Sequence, residues 1–380
     1  MTEAVVSPVE SRRDRRQFID LPWSLYRTDP NWIPPLRWNQ SQLLGFHRHP
    51  FHDNAELQCF LARRGGEVCG RVAAILNRVH NEHYGEQRGF FGYFESIDDQ
   101  VVSSRLFDAV KQWFASRDVR AIRGPTNPSM NYECGLLIEG FDSPPTFMMT
   151  YNPPYYPRLI EASGFRKTHD LLAYAGYIDQ LPELQERLRP VVEQVREHFD
   201  VQIRGMDRSR FLDDVYLFFD LYNRAMVTTW GFVPLPQNEK RHLGSSLKSL
   251  LVPELALVAD VDGKPAGTIL GLLDYNPRIK EIDGRLLPFG FLKLLRNRRG
   301  MKRLRVISIN VLPEFQRWGL GLLLMSALVP KALELGIQEA EFSWISEAND
   351  LARQGLRKGG AVHIKTYRLY DYEAAMPDGG

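Results

Sequence analysis

The residues best suited to do chemistry lie in the stretch INVLPEFQRWGLGLLLM, Ile309 to Met325. A β-like run ends at Val311 and Leu312, Pro313 stops it, and Gln316, Gly319 and Gly321 lead into a leucine-rich helix. Glycines at such a junction let backbone N–H groups approach an anion closely, and the helix N-terminus adds favourable dipole potential. A pyrophosphate therefore fits there without a metal ion. The turn has no Gly-Lys-Ser/Thr, as a Walker loop requires. It also lacks the three-glycine dinucleotide fingerprint with an acidic residue about 20 positions on.

Gln316-x-x-Gly319-x-Gly321 after a strand resembles the acetyl-CoA signature of the GNAT (Gcn5-related N-acetyltransferase) superfamily. The element order from about residue 250 to 373 is similar to that fold: a hairpin, a strand, the glycine turn and helix, a strand, then a helix with a final β pair. The resemblance implies acyl-CoA or acetyl-CoA as co-substrate and an amine as acceptor. It implies that the backbone of Asn310, Val311 and Leu312 pairs with the pantetheine arm. The N–H groups of Arg317, Trp318, Gly319, Leu320, Gly321 and Leu322 would hold the pyrophosphate, with Gln316 heading the motif. Asn349 matches a CoA-contacting position and Ala352 fits the same pattern, but Leu356 stands where the family commonly has a tyrosine that protonates the leaving thiolate.

Amine acylation needs a neutral amine, a polarised thioester carbonyl and a route for two protons. A backbone N–H near Leu312 can polarise the carbonyl. Glu347, after the strand EFSWIS, is the candidate base, and Glu95 sits in the equivalent strand of the other half of the chain. Tyr367 and Tyr370 are candidates for the missing acid. The competing reading makes the glutamates solvated surface carboxylates and at least one tyrosine core packing.

The elements that must position these residues recur in the same order about 200 residues apart, the mark of a duplicated domain. NWIPPL is echoed by WGFVPL, and LQCFLARRGGEVCGRVAAIL by LALVADVDGKPAGTILGLL. GFFGYFES answers LRVISINV, SSRLFDAVKQWFASRD answers GLLLMSALVPKALELG, and each half closes with a helix, a glycine and an aromatic strand. The expected class is α/β, with two GNAT-like domains, each a mixed twisted sheet flanked by helices. Residues 1–180 form a degenerate domain that shapes the acceptor site or serves as structure, and residues 181–380 bind acyl-CoA. A charged linker helix, LPELQERLRPVVEQVREHFDV, is expected to break at Pro190. The first half has SIDDQVVSS in place of the glycine turn, and Asp98 and Asp99 there would repel a pyrophosphate.

With 380 residues and 44% hydrophobic content, the chain can build more than one core. Lys and Arg total 48 against 46 Asp and Glu, so nothing in the bulk charge favours nucleic acid. Cys59, Cys69 and Cys134 have no ligand-like spacing, the N-terminus reads as no signal peptide, and no apolar run reaches about 18 residues, so a cytoplasmic protein is expected. His47, His49, His52, His80 and His83 cluster without a metal-binding pattern, and no metal is expected. SRRDRR at Ser11 to Arg16 reads as a solvated terminus.

Residues 285–305 combine Phe289, Phe291, Leu292, Leu294 and Leu295 with Lys293, Arg296, Arg298, Arg299, Lys302, Arg303 and Arg305. That combination suits an anionic membrane surface, giving a peripheral location on the inner face of the membrane; a core-covering helix or a CoA-phosphate site are the alternatives. The expected function is transfer of an acyl group from a CoA thioester to a primary amine, with a lipid-linked or long-chain acceptor favoured. The tandem organisation is loosely similar to that of bacterial sphingoid-base N-acyltransferases. The alternatives are acetylation of a small-molecule or protein amine and a non-catalytic acyl-CoA sensor.

Overall fold

Alternating apolar runs joined by tight turns form the strands of both halves. The first half contains β1 (Val5–Pro8), β2 (Ala55–Arg64), β3 (Glu67–Asn77), β4 (Arg88–Ser96), β5 (Ala121–Gly124), β6 (Thr126–Asn127), β7 (Glu133–Cys134), β8 (Leu136–Glu139) and β9 (Arg166–Tyr177). The second contains β10 (Val201–Gly205), β11 (Ala256–Val261), β12 (Lys264–Leu273), β13 (Arg303–Val311), β14 (Glu339–Ser346) and β15 (Val362–Glu373). The computed structural model describes residues 3–296 and 298–374, with only the backbone of Arg299. Asp262 and Gly263 turn the β11–β12 hairpin with φ of 50° and 75°, the left-handed pair that a two-residue hairpin turn demands.

Two units result. The first takes in the chain up to Leu171, Arg278–Gly290 and the chain from Lys365; the second takes in Leu172–Pro277 and Phe291–Ile364. Compared with the division near residue 180 read from the sequence, the chain leaves and re-enters the first unit, and β9 and β15 are each divided between the units.

The first unit orders its sheet β1-β2-β3-β4-β5-β15, antiparallel except for the parallel β4–β5 pair. Its core packs Phe107 and Phe114 of the helix Gln100–Ala115 together with Phe91 and Phe165. Each such buried side chain contributes roughly 1.5–3 kcal/mol. Asp371 of β15 takes a bidentate pair from Arg123 (2.8 Å to each oxygen) and a bond from Arg88 (3.2 Å). Arg368 pairs with Asp170 at 2.9 and 3.0 Å.

In the second unit β10-β11-β12-β13 run antiparallel and β14 joins β13 in parallel. Beyond β14 lies the second part of β9, where Ile178 N–H donates to Gln338 O at 2.9 Å and Gly176 lies against Phe342. The sequence suggests that each half closes its own sheet. The closing strands are instead exchanged, with Lys365–Glu373 completing the first unit and Leu172–Tyr177 flanking the second. The ion pairs around Asp371 and Asp170 explain why the aromatic strand of the second half seats in the first.

Two local expectations change. Pro190 lies inside one continuous helix, Leu181–His198. Its missing N–H forfeits one bond, but Leu188 and Val195 are buried along the inner face of the helix and hold it together. SRRDRR is not a loose terminus: Ser11 and Asp14 form a capping box that starts the helix Arg12–Leu25, and Asp14 pairs with Arg63 at 2.6 Å.

A fragment ending at residue 180 lacks Lys365–Glu373 and should fail to fold cooperatively, while co-expression with residues 181–380 should restore a folded species. Circular dichroism melts and gel filtration test this, and a sharp transition for the isolated fragment would refute the exchange.

Candidate active site

Parallel pairing between β13 and β14 runs from Arg303↔Glu339 to Val306↔Phe342 and then stops. At that point Ile307 is an extra residue, because β12 pairs Leu270 with Ser308 and Gly271 with Val306. The bulge turns β13 away from β14. Leu312 N–H donates to Ala266 O at 3.0 Å, which fixes the parity: Ser308, Asn310 and Leu312 turn their backbone groups to β12. Ile309 and Val311 therefore turn theirs to the open side. The N–H near Leu312 expected to meet a thioester is thus Val311's, since that of Leu312 is engaged.

The glycine turn follows at once. Gln316 Nε2 donates to Val311 O at 2.9 Å, tying the end of the strand to the turn. Gly319, at φ 90°, caps the helix Leu320–Glu334. The N–H groups of Leu320 and Gly321 open that helix, where no preceding turn can accept from them. A Cβ at Gly319 would lie 2.5 Å from Val191 Cγ1, whereas at Gly321 it would meet only Ile309 and Val311 at 3.5 and 3.7 Å. Trp318 packs tilted against His198 and edge-on against Phe199, with centroids at 5.0 and 5.4 Å. Arg317 follows Gln316 as the C-cap of the short helix Pro313–Gln316, and Leu322 N–H donates to Gly319 O at 2.9 Å.

The other sequence candidates divide between the units. Glu347 is half-buried in the second unit, and its carbonyl accepts from Arg353 at 2.6 Å. Asn349 Oδ1 accepts from Ala352 N–H at 3.1 Å, capping the helix Asp350–Lys358. Glu95, Tyr367 and Tyr370 belong to the first unit. Glu95 accepts from Tyr26 and Tyr156 hydroxyls at 2.8 and 2.7 Å and faces Arg71 at 3.5 Å; burial raises its pKa against the pull of Arg71. Tyr370 donates to Glu161 at 3.2 Å, and burial, aided by Glu161, raises its pKa. Tyr367 is buried opposite Leu137 of β8. His52 and His80 bond Gln42 and Leu43 carbonyls and Glu86, and no group of three metal-ligating side chains converges among the described residues.

Sequence reasoning missed a polar face. Ile309 and Val311 point to the helix Leu320–Glu334, so Ser308 and Asn310 point to the other side of the sheet. There Asn310 Nδ2 donates to Thr268 Oγ1 at 3.1 Å and lies 3.4 Å from Ser308 Oγ. At the base of the opening Arg305 donates to Ser343 Oγ at 2.9 Å, and Ser343 donates to Glu341 at 2.8 Å. The signal was alternation: Ser308 and Asn310 are the polar positions of an otherwise apolar strand end.

The first unit repeats the opening and fills it from its own chain. β4 and β5 pair only from Arg88↔Ala121 to Phe90↔Arg123, and a bulge follows around Tyr93, at φ 52°. Tyr93 N–H donates to Asn127 Oδ1 at 2.7 Å, and a Cβ at Gly92 would lie 1.7 Å from Thr126 O. Asp99 Oδ1 accepts from Val101 and Val102 N–H at 2.8 and 3.3 Å, occupying the helix N-terminus with a carboxylate that Arg64 neutralises at 2.8 Å. Asp98 pairs with Arg158.

A strand that leaves its parallel neighbour is thus followed by a glycine turn at a helix N-terminus. The Acetyltransferase (GNAT) family matches residues 215–358. Protein YghO of Escherichia coli (strain K12) is 36% identical over 375 residues, covering 97% of this chain and 95% of that protein. This chain belongs to the GNAT family. Bacterial ceramide synthase of Caulobacter vibrioides (strain NA1000 / CB15N) is 35% identical over 376 residues, 96% of each chain. A tandem GNAT protein from the clavulanic acid biosynthesis pathway has the same fold, with TM-score 0.57 at 14% identity over 99% of this chain and 100% of that one. A GCN5-related N-acetyltransferase from Sphaerobacter thermophilus gives 0.53 at 15%, over 97% and 95%. The protein is a tandem GNAT N-acyltransferase with two GNAT-like α/β domains.

Gly321→Asp places a carboxylate at the helix N-terminus without a backbone clash, so CoA affinity should fall more than tenfold, above about 1.4 kcal/mol. Gly321→Ala should fold normally and bind CoA nearly as well. Calorimetry with both variants checks this; equal affinities for Asp and Ala would remove the pyrophosphate from this turn.

Proposed function

We propose that the protein transfers the acyl group of a CoA thioester to the primary amine of a long-chain or lipid-linked acceptor, such as a sphingoid base, and that the second unit alone binds CoA. The observation that carries the proposal is the contrast between the two openings. In the second unit the backbone of Ile309 and Val311 and the N-terminus of the helix Leu320–Glu334 have no partner strand or capping side chain. In the first, the Tyr156 hydroxyl accepts from Ser96 N–H at 2.9 Å, the place that Val311 holds in the strand register, and Asp99 caps the helix N-terminus. The first unit is then a degenerate domain with an acceptor-side or structural role.

In this reading the pantetheine amides pair with Ile309 and Val311, and the pyrophosphate accepts from the turn Arg317–Leu322. The neutral amine attacks the thioester carbon, the Val311 N–H stabilises the oxyanion, and the C–S bond breaks as the carbonyl re-forms. Glu347, the base candidate in the same unit, takes a proton from the amine. The thiolate leaves and takes up the proton that Glu347 received from the amine, without the tyrosine that Leu356 replaces.

The lipid acceptor is supported by the nearly full-length similarity to bacterial ceramide synthase and by the segment 285–305. Leu287 and Phe289 are 79% and 70% exposed, and Phe291, Leu292, Lys293 and Arg296 are exposed after them. Arg303 is engaged with Glu339 at 2.9 Å and Arg298 with Ser249 O, so those cations serve the fold; the side chain of Arg299 lies outside the described residues. No described helix is long and apolar enough to cross a membrane, so contact would be peripheral. Leu356 favours a second reading, an acyl-CoA sensor without turnover, and a small-molecule or protein amine is the other enzymatic alternative.

Calorimetry should find one CoA per chain. Acyl-CoA should be consumed with a long-chain amine, and Phe289→Ser with Lys293→Ser and Arg296→Ser should release the protein from anionic vesicles and slow that reaction at least fivefold. A soluble short-chain amine should be affected little. Salt should mimic the charge substitutions, because screening acts within about 8 Å at physiological ionic strength. No turnover with any amine would favour the sensor, and indifference to anionic vesicles at low salt would remove the membrane.

A further inference from the structure

The polar face of β12 and β13 ends in a group that the fold leaves unsatisfied. Asn310 is 1% exposed, and its Nδ2 is used by Thr268, which is itself fully buried. Among the described residues its Oδ1 is buried with no hydrogen-bond partner. An amide oxygen left so in a strand carries a desolvation penalty, which a donor supplied from elsewhere would relieve.

The location suggests which donor. Asn310 lies between Ile309 and Val311, whose backbone groups face the opening, but its side chain leaves the sheet on the side opposite the pyrophosphate helix. CoA enters from that helix and uses backbone N–H groups, so the side chain addresses what approaches the thioester from the other side. As placed, Asn310 Oδ1 is an acceptor, and it suits a donor on the approaching molecule, while the Ser308 and Thr268 oxygens face the Asn310 Nδ2.

The structure assigns Asn310 as an acceptor-binding residue whose Oδ1 receives a hydrogen bond from the head of the amine substrate, either its N–H or a hydroxyl beside it. This rests on the acyltransfer reading above. Thr268 and Ser308 are positioning residues that hold the amide through its Nδ2 and leave Oδ1 without a partner among the described residues. A site built around a buried acceptor discriminates strongly against a head that lacks the donor, since the oxygen is then left bare.

The full-length protein is assayed with acyl-CoA and two primary amines of equal chain length, one bearing a hydroxyl on the carbon next to the amine-bearing carbon. Asn310→Leu should lower kcat/KM for the amine at least tenfold, mainly through KM, with CoA affinity by calorimetry within twofold of wild type. Asn310→Asp keeps an acceptor oxygen and should retain most of the activity. Thr268→Val should shift KM in the same direction but less, and serves where the leucine variant does not fold. A loss equal for both amines identifies the amine N–H as donor, and a loss confined to the hydroxylated amine identifies the hydroxyl; both support the assignment. Unchanged kcat/KM, or a loss traced to CoA affinity, overturns it. A wild type that acylates neither amine overturns the acyltransfer reading with it, whereas an active wild type indifferent to Asn310 overturns this inference alone.

Discussion

The divergence of β13 from β14 beyond Val306 and Phe342 is the constraint on which the rest of the second unit depends. A parallel pair that separates inside a sheet leaves backbone donors and acceptors without partners, and a buried unpaired group costs about as much as a lost hydrogen bond. The bulge at Ile307 makes the separation geometrically cheap by adding local twist. What remains, among the described residues, is a strand edge beyond Val306 that β14 does not cover. The glycine turn then places a helix N-terminus at the end of that edge, with Gln316 holding the carbonyl of Val311 out of competition.

The first unit shows the same constraint resolved internally. Its β4 and β5 also separate, but Thr126 and Asn127 close against Gly92 and Tyr93, and Asp99 caps the helix that follows. Asn127 Oδ1 enters the opening as an acceptor for Tyr93 N–H, and Asp99 brings a carboxylate to the helix N-terminus. The two units thus hold one strand arrangement in an open and a filled version. The filled version gains stability from satisfied polar groups, while the open version keeps its polar groups available to a substrate.

Much of this organisation was legible. The repeat, the hairpins with Gly65–Gly66 and Asp262–Gly263 turns, and the Gln316-x-x-Gly319-x-Gly321 junction depend on residue type and spacing over short distances. Local conformational preference is strong at such positions because φ above zero excludes most side chains. The individual site residues were less legible. Asn349 proved to cap its own helix, Glu95 to sit among Tyr26, Tyr156 and Arg71, and Tyr370 to bond Glu161. Each has a partner 61 or more residues away or a local role that competes with chemistry, and neither is visible in spacing alone.

The sequence by itself determined the family, the class of the co-substrate site and the absence of glycines at the corresponding turn of the first half, because glycine conformation, helix termini and strand alternation are local properties. Only the tertiary structure decided which strand closes which sheet, since Lys365–Glu373 could seat in either unit until the ion pairs of Asp371 with Arg88 and Arg123 are counted. Only it decided that Pro190 stays inside a helix and that Asn310 retains a bare oxygen. Burial and long-range pairing set these outcomes, and both arise from surfaces that come together after the local elements have formed.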